Sequence, residues 1–305
     1  MASYELLHHR KGLVRKSTAA VLQFPRRMRR LLANEEAYRA NPPVLTNSFP
    51  KSGTHLLEQI VGSLPNQRLY GTFLASMTSS RQFRQLSVPE MRRKIWRITP
   101  HELVRGHIAF DPTYAHDLRS LNVVHYFIYR DPRDIVVSEA HYLRSANRWH
   151  RLHPIFRRLP SLDDAIALSI QGLNFRQRKI YYPDIAERFA AYEPWIDHPR
   201  VCSLKFEELR GPAIKESLVR MAEFYAQRLD YDVNTSRIAQ QMECAIDPHR
   251  SHTFRSGKTR GWQSAFKAHH HDLFREVTGD LLLRLGYESK DRTTSKDDFA
   301  SLAIK

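Results

Sequence analysis

The chain alternates between short apolar runs and stretches whose apolar residues recur every three or four positions. Val44-Leu45-Thr46-Asn47-Ser48-Phe49, set off by Pro42-Pro43, predicts a short buried strand. A polar loop comes next, Pro50-Lys51-Ser52-Gly53-Thr54, and the spacing of His55-Leu56-Leu57-Glu58-Gln59-Ile60-Val61 is helical. The same order returns at Val123. An apolar run reaches Tyr129, the polar Arg130-Asp131-Pro132-Arg133-Asp134 succeeds it, and a helix opens with Ile135-Val136-Val137-Ser138. Val201-Cys202-Ser203-Leu204-Lys205-Phe206 predicts a third strand, and Ile214 to Leu229 a helix with Pro212 near its start. Strands alternating with helices imply an α/β fold, a single domain with a central parallel β-sheet flanked by helices. In such sheets ligands sit beyond the carboxyl ends of the strands, where both polar loops fall.

Ahead of this pattern, residues 1–42 read as a basic N-terminal helical arm. From His8 to Arg30 there are eight Lys or Arg and no acid. The apolar run Ala19 to Phe24 is helix-like, and Pro25 is expected to interrupt it. A surface helix with a solvated basic face is the expectation, with peripheral docking to an anionic membrane or to nucleic acid as the alternative. The α/β domain is expected over 43–290 and a polar C-terminal tail over 291–305.

Composition adds charge and compartment. With 48 Lys and Arg against 32 Asp and Glu, the 305 residues carry +16, which favours nucleic acid, acidic lipid, a phosphorylated nucleotide or a sulfated product as partner. Cys202 and Cys244 are the only cysteines, too few for a disulfide framework or a four-cysteine zinc site, and they suggest a reducing, cytoplasmic setting. No apolar run approaches the roughly 20 residues of a membrane span. Arg10, Lys11, Arg15 and Lys16 break up what would be the apolar core of a signal peptide.

The loop at 50–54 has the makings of an anion site. A strand delivers the chain to a turn, Gly53 allows close approach of the backbone, and a helix begins at once, so free N–H groups and the positive helix end converge. Lys51 adds a mobile charge, and Ser52 and Thr54 add hydroxyls. A plain strand-to-helix turn, capped by Ser or Thr with Lys51 in solvent, is the competing reading. The nucleotide-hydrolysis pattern G-x-x-x-x-G-K-[ST] is not met there, because Lys51 precedes Ser-Gly-Thr. Gly257-Lys258-Thr259 imitates its end, but His252 stands where its first Gly belongs.

Three segments carry a family resemblance. Phe49-Pro50-Lys51-Ser52-Gly53-Thr54 resembles the PKSGT loop of the sulfotransferases that use PAPS (3′-phosphoadenosine 5′-phosphosulfate). Arg130 followed eight residues later by Ser138 resembles the family's 3′-phosphate motif. Phe254-Arg255-Ser256-Gly257-Lys258-Thr259-Arg260-Gly261-Trp262 resembles its late R-K-G…W loop. The three occur in family order, and the resemblance runs from about Val44 to about Gly286. It implies a P-loop-like sulfotransferase fold, PAPS as donor, PAP as product and no required metal. It also implies that Ser52, Gly53, Thr54 and His55 cradle the 5′ end, while Arg130, Ser138, Arg255, Ser256 and Gly257 grip the 3′-phosphate. In-line transfer calls for a cation near the bridging oxygen, and Lys51, on the donor's loop, is the catalytic candidate. Leu103-Val104-Arg105-Gly106-His107-Ile108 is similar to the family's KTH segment, which makes His107 the general base toward the acceptor hydroxyl or amine. His101, in a Thr-Pro-His turn, is the rival.

Departures from the pattern concentrate around adenine. His55-Leu56 replaces Thr-Trp, Phe206 stands where an aromatic face for the base is expected, Ser256 replaces a Lys, and Gly-Asp-Trp becomes Arg260-Gly261-Trp262. The triplet His269-His270-His271 reads as structural, since consecutive side chains on a helix point apart. A small-molecule or carbohydrate acceptor is expected under Phe73 to Trp96 and Trp149 to Pro160, where Phe73, Phe83, Trp96, Trp149 and Phe156 mix with Arg. Two other functions compete: a nucleotide or small-molecule kinase, opposed by the missing phosphate-loop pattern, and a nucleic-acid-binding protein, supported only by the charge.

Overall fold

Runs of β-branched and aromatic residues become strands, and each polar loop after them starts a helix. The structure is a computed structural model that describes residues 6, 7, 9, 11–77, 85–175, 180–247 and 259–289. Its first half holds α1 (Gly12–Leu31), β1 (Val44–Ser48), α2 (Thr54–Val61), β2 (Arg68–Ala75), α3 (Val88–Ile95), β3 (Glu102–His107) and β4 (Val124–Tyr129). Then come α4 (Pro132–His141), α5 (Leu162–Gln171), the short β5 (Leu173–Phe175) and β6 (Ile180–Tyr182), and β7 (Val201–Lys205). The last long elements are α6 (Ile214–Ala226), α7 (Thr235–Cys244) and α8 (Ala268–Thr278).

These elements form two units. The first gathers the described residues of Met1–Arg130, Trp149–Arg151 and Phe189–Thr259. Its centre is a five-stranded sheet in the order β2-β3-β1-β4-β7, parallel throughout. Both faces of the sheet are covered, so β1 and β4 are buried at every position. Alternation along β4 divides the work. Val124, Tyr126 and Ile128 join the cluster built with Leu57 and Ile60 of α2, Met221 of α6 and Met242 of α7. On the opposite face Phe127 stacks on Tyr192 and His125 meets Trp195 edge-on. The predicted fold class is therefore the observed one.

The second unit comprises the described residues of Asp131–Arg148, Leu152–Arg188 and Arg260–Lys305. It contains α4, α5, α8 and the β5–β6 hairpin, whose strands pair antiparallel. At its core Glu139 accepts from Arg188 and from Ser169, and Arg188 lies over the Tyr182 ring. Burial raises the pKa of Glu139, but the Arg188 guanidinium and the hydrogen bonds outweigh it and leave the carboxyl below its usual range.

Several expectations are corrected. Helix α1 continues through Pro25 to Leu31. Pro25 and Val21 both lie on the outward face, where water can take the carbonyl that proline leaves unbonded. The helix expected to reach Leu229 stops at Ala226. Strand β2 was not anticipated. Gly71, at φ 78°, and a register shift between Leu69 and Phe73 break its alternation, and Ala19 of α1 packs where a Cβ would stand.

Candidate active site

Ser48, the last residue of β1, is the hub. Its hydroxyl lies 2.7 Å from the Thr54 hydroxyl and 3.1 Å from His107 Nδ1, and its carbonyl oxygen is 2.8 Å from the same Nδ1. Because β1 and β3 are neighbours in a parallel sheet, both strands end together, and that brings the polar loop and His107 to one edge. Asn47 pins Ile108, the residue after His107: its amide donates to the Ile108 carbonyl (3.0 Å) and accepts from the Ile108 N–H (2.8 Å). Phe73 meets the His107 ring edge-on at 5.1 Å.

The loop itself is tightly wound. Lys51 adopts φ 71° and Gly53 φ 97°, and Ser52 N–H donates to the Phe49 carbonyl at 3.2 Å. A Cβ at Gly53 would stand 2.5 Å from the Phe206 ring, so only glycine fits against that ring at that φ. Ser52 is fully buried, and its hydroxyl has no hydrogen-bond partner among the described residues. A buried hydroxyl without a partner in a glycine-lined turn at a helix start fits an oxyanion ligand, whose oxygens supply the missing acceptor. Behind the loop, His55 Nδ1 lies 3.6 Å from Glu58, which is fully buried and pairs with the buried Arg105 of β3 at 3.3 Å.

Arg130 comes directly after β4 at the same sheet edge. Its guanidinium carbon sits 4.6 Å from the centre of the Phe206 ring. Phe206 thus stands between Gly53 and Arg130, with 6% of its surface open, which makes it a strut more than a broad platform for adenine. Asp131 holds Arg133 through two nitrogens (3.0 and 2.8 Å), and Asp134 accepts from the backbone N–H of Arg260 and of Trp262, both at 2.9 Å. Arg133 also pairs with Glu288 and lies 3.9 Å over the Trp262 ring.

The first unit therefore brings together Lys51, Ser52, Gly53, Thr54, His55, His107, Arg130 and Phe206. Ser138 is half-buried on the second turn of α4, in the other unit. Arg255, Ser256 and Gly257 lie outside the described residues, as does Phe83. His101 is in a left-handed turn (φ 62°) at the start of β3, about 20 Å of strand from His107. Trp96 closes α3 near that same amino edge, Phe156 is fully buried, and Trp149 is 90% exposed. Of the expected acceptor aromatics among the described residues, Phe73 is the one whose ring meets His107. His270 is structural: Nδ1 accepts from Lys267 N–H and Nε2 meets the Asp163 carbonyl, each at 3.0 Å. Among the described residues no group of three His, Cys, Asp or Glu is placed to hold a metal ion.

Ser48, Asn47, Glu58 and Arg105 were not foreseen as site residues. Asn47 and Ser48 had a signal: two polar residues ending an otherwise apolar buried strand must be hydrogen-bonded to something.

A sulfotransferase-domain profile matches residues 41–286. The chain belongs to the sulfotransferase family, and it is an enzyme of the kind that draws on PAPS. Mouse sulfotransferase SULT7A1, solved in complex with PAP, shares 17% identity over 84% of this chain and 89% of its own, with a TM-score of 0.54. Retinol dehydratase, solved with androsterone and the inactive cofactor PAP, shares 15% over 84% and 85%, with a TM-score of 0.51. None of the curated proteins matches by sequence.

Proposed function

We propose that the protein transfers a sulfuryl group to a hydroxyl or amine of a small-molecule or carbohydrate acceptor, with His107 as general base. PAPS supplies the sulfuryl group when bound. The observation that carries the reading is the double role of Ser48, which ties Thr54 of the anion loop and the His107 ring to one residue. His107 Nδ1 faces a carbonyl, so it holds the proton and Nε2 keeps the lone pair that a base needs. Lys51 is the cation for the charge that builds on a leaving oxygen. Ser52, Gly53, Thr54 and His55 would hold the 5′ end of the donor. Arg130 and Ser138, with Arg255, Ser256 and Gly257, would hold its 3′-phosphate, and Phe206 would offer the base a ring edge.

The small-molecule class is supported by the androsterone bound to one structural neighbour. Two free thiols, one buried and one exposed, support a cytoplasmic setting. The transfer chemistry is assigned to 43–290, with 1–42 as an arm and 291–305 as a tail.

Titration of the full chain with PAP, ATP and a single-stranded oligonucleotide tests the reading. PAP should raise the unfolding temperature and bind at least about tenfold tighter than ATP, because a 3′-phosphate adds charge-assisted hydrogen bonds. Equal stabilisation by ATP would favour a kinase, and tighter binding of the oligonucleotide would favour a nucleic-acid-binding protein.

A further inference from the structure

Helix α1 is held to the sheet by one face only. Ala19 packs on Gly71, Gln23 donates to the Tyr70 carbonyl, and Arg26 pairs with the buried Glu102 at 2.8 Å while donating to the Arg97 carbonyl. The opposite face was expected to be a solvated basic surface, and it is apolar. Val21, Phe24 and Leu31 are each more than 70% exposed, and Met28 is 45% exposed. Their spacing of three, four and three residues lines them up along one side of the helix, with Leu13 before and Leu32 after. Lys16, Arg27 and Arg30 flank the stripe, all exposed.

Beside the end of this helix is a cavity of about 510 Å³ lined by Arg30, Pro89, Arg92, Arg93, Trp96 and Arg97. Arg92 is engaged by Asp117 through two nitrogens, at 2.7 and 2.9 Å. No acid pairs with Arg30, Arg93 or Arg97 among the described residues, and the lining contains none. Trp96, 41% exposed, puts an aromatic ring at the rim.

We infer that the outer face of α1 and the adjoining arginine cavity form a docking surface for an anionic lipid bilayer, with a headgroup phosphate in the cavity. The apolar stripe enters the acyl boundary, the basic flanks stay at headgroup level, and guanidiniums take phosphate oxygens in pairs. Charge selects this occupant over the others. Two copies of the chain meeting stripe to stripe would bring Lys16, Arg27 and Arg30 of each against the same residues of the other, on molecules of +16. A nucleic acid would meet the arginines but leave Val21, Phe24, Met28 and Leu31 against a phosphate backbone. An anionic bilayer satisfies both the charge and the stripe. The helix lies on the membrane and does not span it, since no described helix is long and apolar enough to cross. The surface adjoins β2 and the amino edge of the sheet, away from the edge that holds Lys51 and His107, so the inference is independent of the transfer chemistry.

Flotation of the full chain with vesicles tests it. Vesicles of phosphatidylcholine with about 30% phosphatidylserine should carry the protein up the gradient, and vesicles of phosphatidylcholine alone should not. The double variant Phe24→Ser, Leu31→Ser alters only exposed side chains and should weaken flotation about tenfold or more with its unfolding temperature unchanged. Arg93→Glu with Arg97→Glu should weaken it as strongly. The inference is overturned if the wild type stays at the bottom with anionic vesicles, or if the serine variant floats as well as the wild type. Equal flotation with phosphatidylcholine alone removes the headgroup site. A dimer in light scattering that the serine variant splits, with no flotation, assigns the stripe to a second copy.

Discussion

His107 Nδ1 lies 2.8 Å from the Ser48 carbonyl oxygen, a group that can only accept. One contact thus sets both the orientation and the tautomer of the ring, and the lone pair falls on Nε2. Replacing His107 by Ala should lower turnover by roughly 10²–10⁴ and leave PAP affinity within about twofold. His107→Asn is the sharper variant, because its amide can still donate to Ser48 while offering no base. It should be as stable as the wild type and as inactive as the alanine form. Near-normal turnover of either variant with a good acceptor would assign the base elsewhere. A collapse of PAP binding would make His107 a structural residue.

Lys51 occupies left-handed backbone space at φ 71°, which costs a non-glycine residue on the order of 1 kcal/mol. Lys51→Gly removes that cost while gaining unfolded-state freedom, so stability should change by less than about 1 kcal/mol. Turnover should nevertheless fall by at least about tenfold, since the cation is gone. Thermal unfolding alongside steady-state rates separates the two effects. A variant that keeps its rate would place Lys51 in the turn and outside the chemistry.

Arg130 should matter for one nucleotide and not for another. Arg130→Ala is expected to weaken PAP by about 1.5–3 kcal/mol, the range for a charged hydrogen bond, and to leave the weaker ATP binding almost unchanged. Calorimetric titration with both ligands checks this. Equal losses for PAP and ATP would mean that the guanidinium supports Phe206 and does not read the 3′-phosphate.

His125 supplies a test of stability against pH. Burial, with a smaller contribution from neighbouring His198, holds its pKa down at about 3, below the usual 6.5. Between those values the unfolded chain binds the extra proton, so this contribution to stability is complete above about pH 6.5 and declines as pH falls. From pH 7 to pH 5, where carboxylates contribute little, the loss should be about 2 kcal/mol. His125→Phe keeps a ring against Trp195 and removes the proton site. Denaturant midpoints for the variant should fall less steeply over that interval, and parallel curves would refute the assignment.

The sequence exposes the parts of this fold that obey one rule at a time. β1, β4 and β7 are short apolar runs closed by turn residues, and their positions were legible to within a residue or so. β2 was not, because Gly71 and its register shift destroy the alternation that a pattern search needs. The continuation of α1 beyond Pro25 was equally hidden, since its contact with the sheet, Arg26 on Glu102, joins residues 76 apart in the chain. In the site, the loop residues announce themselves by type and spacing. The Arg105–Glu58–His55 series does not, because it joins β3 to α2 and exists only once the sheet has formed.

Phe206 has a consequence for how ligands are told apart. One of its edges blocks any side chain at Gly53, and its face carries the Arg130 guanidinium. A buried ring cannot shift without disturbing its neighbours, so in the proposed site it would act as a fixed gauge between the two ends of a nucleotide. Discrimination would then come from a distance as well as from charge. A ligand with its second phosphate at the 2′ position would bring the same charge to the wrong mark, and the pair would turn it away by length alone.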